Sequence, residues 1–400
     1  MKFRSWFVCL FTALLIALLC TSWLSQRIYL SLCQCGIFLL AACWLLAACW
    51  PPRMLRRNIP FTAPPPLALL AAIPCLGVLQ LLAKTAAYPW KTAVSTLDWA
   101  ALAAAAWLAV QLAGKENFAA TFRRLLVAAG VVVSLLGAVH WYTSPGLIFW
   151  TWPNPYQLRS TFPILNHSHF AAFLELALAP AAWAALRSPK ADLFHTWAAA
   201  LMVCAVWMTG SRSGSIIVLA ELAAVLLLGA RLLPAPSFPW RRLLLIAGPA
   251  VVLVAGIGSQ GIAARFAEPT RDDLRPLFAR AALGMIHDRP LTGFGLGSFS
   301  TVYPAYEPTD VGLYVEHAHN DWLEWAAEGG LLLPALLLLL ALIAIRKATT
   351  APWTLGIAAV LIQAAAEFPL HNPAVATWFF VFIYCNLVAV PEPYPATSYQ

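Results

Sequence analysis

The sequence predicts an all-α polytopic membrane protein, and three observations carry that prediction. Hydrophobic residues fill 61% of the 400 positions and charged residues only 10%, where a soluble domain is about 25% charged. The mean hydropathy is +0.75. The apolar residues gather into runs of about 20, the length that crosses a hydrocarbon core, and basic residues sit in the connectors between them. These features exclude a soluble globular fold, a disordered chain and a secreted disulfide scaffold. An outer-membrane barrel is excluded too, because its strands alternate polar and apolar residues and never reach this hydropathy. Helices satisfy their own backbone polar groups in lipid. The net charge of +8 is spread over short connectors, which argues against nucleic acid as a partner and for the lipid bilayer.

About twelve spans are expected, near residues 6–24, 28–50, 66–83, 97–114, 124–141, 166–186, 193–209, 214–230, 243–262, 330–345, 353–368 and 374–390. The first run follows Lys2 and Arg4 like a signal peptide, but no small-residue cleavage site follows it and more spans do, so it reads as a transmembrane helix. With the N-terminus inside, every cytoplasmic connector carries at least two basic residues, as the positive-inside rule requires. Both termini are then cytoplasmic. All nine cysteines fall in apolar runs and read as small buried hydrophobes.

The expected organisation is therefore helices one to nine over residues 1–262, a long external loop over 263–329, helices ten to twelve over 330–390, and a tail over 391–400. The loop holds ten of the seventeen acidic residues and three of the eight histidines. A connector so long and polar between tight hairpins is usually functional.

Three polar clusters lie on the outer side. In the first, Glu316-His317-Ala318-His319-Asn320-Asp321 leads into Trp322 and on to Gly330. Asn320 or Asp321 is a good cap for a helix running to Glu328. His319 just ahead of it is a candidate general base, since an imidazole can accept a proton near neutral pH. Glu316, Asp321 or Glu307 can orient it. His317, His319, Glu316 and Asp321 also form a weak metal-ligand set. With no i,i+4 histidine pair and no nearby cysteine, no metal is expected. The second cluster is Thr209-Gly210-Ser211-Arg212-Ser213-Gly214-Ser215. Its small residues let backbone N–H groups converge on an anion, and Arg212 adds a planar donor fork for phosphate. The third runs from Arg271 through Arg275 and Arg280 to Arg289 and reads as an amphipathic helix from Pro276 to His287. Gly293-x-Gly295-x-Gly297 follows a helix, not a strand, so it is no dinucleotide loop. Glu175, Glu221 and Glu367 lie in or beside spans, where acids mark functional sites by default. Trp150, Trp152, Trp322 and Trp325 fit an interfacial belt.

Together these clusters resemble the O-antigen ligase and polymerase superfamily of bacterial membrane glycosyltransferases. The matching elements are Gly-Ser-Arg-Ser-Gly at 210–214, Pro290-Leu291-Thr292-Gly293-Phe294-Gly295 after an arginine-bearing helix, and His319-Asn320-Asp321-Trp322-Leu323 leading to Gly330. Asn166-His167-Ser168-His169-Phe170-Ala171 looks like the family's Asn-x-x-x-Phe-Ala stretch. The sequence departs from the pattern at Leu333, where a second glycine is usual, and at Ala279, where an aromatic is usual. Phe278 can stand in for that aromatic with a shifted register.

The resemblance implies a GT-C-like helical bundle in the bacterial inner membrane with a periplasmic loop domain. It implies an undecaprenyl-diphosphate-linked glycan donor, and a sugar acceptor on lipid A core or a growing glycan. The transfer would be inverting and metal-independent, and no cofactor is implied. His319 matches the residue regarded as catalytic. Arg212 and Arg275 match the arginines thought to hold the diphosphate, with Ser211 and Ser213 beside them and Arg271 as the alternative to Arg275. Arg280, His317, Glu316, Asn320, Asp321, Arg159 and His169 are further candidate donor or acceptor contacts. The competing class is a transporter or flippase of lipid-linked glycans. It predicts polar residues at the bilayer midplane, whereas these clusters gather at one face.

Overall fold

The computed structural model describes residues 2–24, 27–49, 61–113, 118–154, 161–187, 192–233, 274–310 and 312–388. The expected ninth span at 243–262, the tail, Arg159 and Arg271 lie outside them. In chain order the helices are α1 (Lys2–Cys20), α2 (Arg27–Cys49), α3 (Pro65–Leu82), α4 (Pro89–Ala113), α5 (Phe118–Thr143), α6 (His167–Arg187), α7 (Leu193–Thr209) and α8 (Arg212–Leu232). After these come α9 (Arg275–Asp288), α10 (Phe299–Val302), α11 (Asp321–Gly329), α12 (Leu332–Ile345), α13 (Leu355–Gln363) and α14 (Pro373–Val388). A two-stranded antiparallel hairpin, β1 (Leu147–Ile148) and β2 (Trp152–Pro153), joins α5 to α6 and is a small addition to the all-α expectation.

Among the described residues, seven helices are long and apolar enough to cross a membrane: α2 to α6, α8, and α12 with its 3-10 extension to Thr349. The apolar α7, α13 and α14 are shorter, as is the Ser5–Cys20 stretch of α1. The chain is a polytopic helical membrane protein. Its outward surface is apolar, with Leu39, Leu46, Leu79, Leu82 and Leu227 all 60% or more exposed. In water such a surface would aggregate, whereas in lipid it is the solvent-facing side. The cysteines follow the same logic and correct the expectation. Cys33, Cys204 and Cys385 are buried, but Cys9, Cys20, Cys35, Cys43, Cys49 and Cys75 are exposed, and all nine are free. A small apolar side chain sits as comfortably against lipid as against protein.

α6 is the axis of the bundle and is buried along almost its whole length. It packs against α5, α7, α8 and α13. α14 closes the bundle from the far end of the chain. Its Trp378 donates to the Leu15 carbonyl at 3.1 Å and its Tyr384 to the Pro66 carbonyl at 2.8 Å, tying it to α1 and α3.

Two boundaries differ from the sequence expectation. α4 begins at Pro89, eight residues before the apolar run, because Pro89 suits a first helical position. The expected span 353–368 is broken. Helix α13 stops at Gln363, and 364–372 turn across the bundle end through a short 3-10 segment, Pro369–His371. Pro369 and Pro373 explain the break, since each disfavours α geometry in the residue before it.

The polar segment 274–329 forms a cap with its own small core of Phe278, Ala281, Ala282, Met285, Phe294, Phe299 and Tyr303. Among the bonds that fasten it to the bundle are those of a buried amide. Gln80 on α3 donates to the carbonyls of Thr292 at 2.7 Å and Glu328 at 2.8 Å, and accepts from Leu296 N–H at 3.1 Å. The glycine loop lies across the end of α11, with Phe294 and Gly295 N–H donating to Ala327 and Glu328 carbonyls at 3.0 Å. Gly293 makes that crossing at φ +61°, where a Cβ would stand 2.1 Å from the Glu328 carbonyl oxygen. Gly293→Ala is therefore expected to destabilise the cap by at least the roughly 1–3 kcal/mol of a forced left-handed residue. A thermal melt of the purified protein in lipid checks this. An unchanged midpoint would mean that the crossing relaxes freely.

Candidate functional site

The site is built around the start of α11. Asn320, in extended conformation, caps the helix, its Oδ1 accepting from Leu323 N–H at 3.1 Å. Its amide donates to the Ala365 carbonyl at 2.7 Å, joining the cap to the turn after α13. His319 has φ +52°, a left-handed conformation that a residue with a side chain seldom adopts. The backbone reverses there and sets the imidazole between two aromatic rings. Phe278 of α9 lies nearly parallel to it at 5.8 Å, and Phe368 meets it edge-on at 4.7 Å.

His319 Nδ1 donates to Glu367 Oε2 at 3.2 Å. The other carboxylate oxygen of Glu367 accepts from Arg275 Nη2 at the start of α9. Glu367 is only 5% exposed at its side chain, whereas His319 is 35% and Arg275 48% exposed. A buried carboxylate thus bridges an imidazole and a guanidinium that both reach the surface. Among the described residues no hydrogen bond engages His319 Nε2. None of the three acids expected to orient His319 does so. Glu316 is exposed, Asp321 turns to another histidine, and Glu307 lies beside Tyr303. Glu367 takes that role because the break after α13 carries it back over the bundle end.

A second network adjoins the first. Asp321 is fully buried and accepts from His371 Nδ1 and from Leu370 N–H at 3.1 Å. His371 Nε2 lies 3.2 Å from Glu324 Oε1, and His317 Nδ1 lies 2.8 Å from that same oxygen. Glu324 Oε2 accepts from Ala318 N–H at 2.7 Å. Burial by itself would lower the His371 pKa, but the carboxylates of Glu324 and Asp321 push it up to about 10. Burial would raise Glu324, and the His371 and His317 imidazoles hold it below its ordinary value instead. Burial raises Asp321 against the pull of His371. Glu328, buried and next to Glu324, is raised to about 7 while its Oε1 accepts from Phe299 N–H at 3.0 Å.

Phe368 links the two networks to the bundle. Its ring stacks on His317 at 4.4 Å and meets His319 and His169 edge-on at 4.7 and 4.6 Å. His169 is buried on the first turn of α6, and its Nε2 has no hydrogen-bond partner. Two residues on, Ala171 touches the start of α8, where a Cβ on Gly214 would come within 2.7 Å of it. This close approach holds the Arg212 turn against the helix that bears His169. Ser211 is buried and caps α8, its Oγ accepting from Gly214 N–H at 3.3 Å. Arg212 and Ser213 are half-buried on the first turn. Arg280 is exposed on α9 and takes no part in either network.

Two other expectations change. Trp325 is buried against Trp99 at 6.2 Å, and Trp322 donates to the Leu361 carbonyl, so both belong to packing and not to an interfacial belt. Trp150 and Trp152 are exposed on the β-hairpin. The intramembrane acids differ from each other. Glu221 accepts from Ala179 N–H at 3.0 Å, while Glu175 is fully buried with neither oxygen partnered.

Sequence reasoning singled out His319, Arg275 and Phe278 and missed Phe368, Glu324 and His371 as parts of one site. The available signals were the acid at the edge of a span and the Phe368-Pro369 step, which ends a helix.

No curated protein matches the chain. Residues 197–340 match the family model described as O-antigen ligase. That stretch takes in the Arg212 turn, α9, the glycine loop and the His319 cap, and it supports the resemblance of the chain to the O-antigen ligase and polymerase superfamily.

Proposed function

We propose that this protein transfers a glycan from an undecaprenyl-diphosphate donor to an acceptor sugar hydroxyl, with inversion, during surface polysaccharide assembly. The observation that carries the reading is the bridge through Glu367, which pairs a histidine with an arginine at the rim of the bundle. The acceptor hydroxyl gives its proton to His319 Nε2 as its oxygen attacks the anomeric carbon. The bond from that carbon to the diphosphate breaks, and the electron pair leaves on the phosphate oxygen. Glu367 fixes the histidine tautomer and steadies the imidazolium as it forms, the part a carboxylate plays in a hydrolase triad. Arg275 and Arg212 hold the charge growing on the leaving diphosphate. Such a leaving group needs little acid catalysis, and the transfer itself routes no step through a metal. Inversion follows from attack on the face opposite the diphosphate.

In this reading residues 263–329 form the periplasmic cap, both termini face the cytoplasm of a bacterial inner membrane, and the bundle has about twelve spans. Glu316 lines the cavity beside the second network, where it meets sugar in this reading. The buried Glu175 and Glu221, set within helices, are what favours the competing transporter reading.

The deciding experiment supplies purified protein in lipid with an undecaprenyl-diphosphate repeat unit as the only glycan and resolves products by size. A ladder of longer lipid-linked chains is the polymerase result. Transfer only after lipid A core is added is the ligase result. Neither product from folded protein would overturn the enzymatic reading in favour of transport.

A further inference from the structure

The second network has a property that the transfer chemistry does not use. His317 Nδ1, His371 Nε2 and a Glu324 carboxylate oxygen converge, all within 4.8 Å of one another. The atom of each ligand that does not converge is already engaged or clamped. His371 Nδ1 donates to Asp321, so Nε2 is the ring nitrogen that gives up its proton when an ion binds. Glu324 Oε2 is held by Ala318 N–H. The His317 ring lies flat on Phe368 at 4.4 Å. A carboxylate behind a histidine that points at two further donors is the usual outer-shell arrangement of a metal-bound imidazole.

We propose that His317, Glu324 and His371 bind one divalent transition-metal ion of the zinc class, with Asp321 orienting His371. Two imidazoles and one carboxylate suit zinc and its neighbours and do not suit magnesium or calcium, which prefer oxygen ligands. Bonds of about 2.0–2.2 Å to a tetrahedral centre set ligand atoms roughly 3.3–3.6 Å apart. The two contacts to Glu324, at 2.8 and 3.2 Å, therefore need only small shifts, while the two imidazoles, within 4.8 Å of each other, must draw together by up to about 1.5 Å. Three protein ligands leave a position open. All three line a cavity of about 590 Å³, together with Glu316, Glu328, Tyr88, Trp90 and Lys91. In the competing arrangement, without an ion, both imidazoles donate to the one Glu324 oxygen and the cluster is a hydrogen-bonded clamp for the segment before His319.

Metal content separates the two without reference to activity. The full-length protein in detergent is stripped with a chelator, equilibrated with zinc, dialysed and analysed for bound metal. One equivalent per chain is expected, falling to background in His371→Ala and in His317→Ala. Asp321→Asn is expected to weaken zinc by roughly 10- to 100-fold. His319→Ala keeps the full equivalent, because that ring belongs to the Glu367 network. Cobalt added to stripped wild-type protein gives a second readout that needs no variant, the visible bands of a low-symmetry site with nitrogen ligands. Wild-type protein that takes up no zinc and gives no cobalt bands overturns the proposal, as does full metal content in both ligand variants. Because binding is scored directly, loss of the transfer reading would leave this result standing, and the reverse also holds.

Discussion

His319→Ala is expected to insert and fold as the parent chain does and to lose glycan transfer by roughly 10²- to 10⁴-fold, the range a positioned general base contributes. The fold should tolerate the change. The ring is about one-third exposed, and its one hydrogen bond is to a carboxylate that Arg275 also satisfies. Alanine also adopts the left-handed backbone less readily than glycine, so His319→Gly is the control that removes the ring without adding strain. Binding of the lipid-linked donor should be nearly unchanged in both variants, because the diphosphate contacts proposed for Arg212 and Arg275 are untouched. The measurement is turnover at saturating donor beside donor affinity. A His319→Ala chain that keeps more than about a tenth of wild-type turnover would remove histidine from the mechanism, since even the weakest general base gives more than that.

The second large effect is at Glu367. Glu367→Gln keeps the shape but removes the charge, so the amide no longer enforces the tautomer with Nε2 free and no longer steadies an imidazolium. In a hydrolase triad the corresponding change costs up to about 10⁴-fold, and here the loss should approach that of His319→Ala. The change also weakens the pairing of Arg275, which is half-exposed and can turn to water, so the stability cost should stay modest. The sharper prediction concerns the pair. Residues that act as one unit are not additive, so the double variant His319→Ala with Glu367→Gln should be no slower than His319→Ala alone. Additive losses would show that Glu367 acts separately from the histidine, for example by placing Arg275 against the donor.

Much of the bundle was legible in advance because a lipid core imposes one length and one polarity on every segment that crosses it. The runs at 28–50, 66–83, 166–186 and 214–230 became helices within a few residues of those bounds. Local signals were legible for the same kind of reason. Asn320 can cap a helix through its own side chain, and Pro276 suits a first turn, so α11 and α9 begin where residue chemistry alone puts them. What could not be read was alliance across the chain. His319 and Glu367 are 48 residues apart, and Asp321 and His371 are 50 apart. The later partner of each pair, Glu367 or His371, lies at or just past the end of a segment whose hydropathy predicts an unbroken span, and that reading hid the bend that brings them over the bundle end. Hydropathy was also silent on which apolar side chains face protein and which face lipid, and so the cysteines were misplaced.

The Gln80 amide has a consequence for biogenesis. Its helix is made early, but the carbonyls and the N–H that satisfy it belong to residues 292, 296 and 328. Until the ribosome has passed residue 328, that buried amide has no protein partner, and a polar group without partners in an apolar setting is costly. The early helices therefore wait in a loosened assembly that water or other factors must tend. Residues 292–328 satisfy the amide, and the histidine site closes only later, when Glu367 and His371 follow.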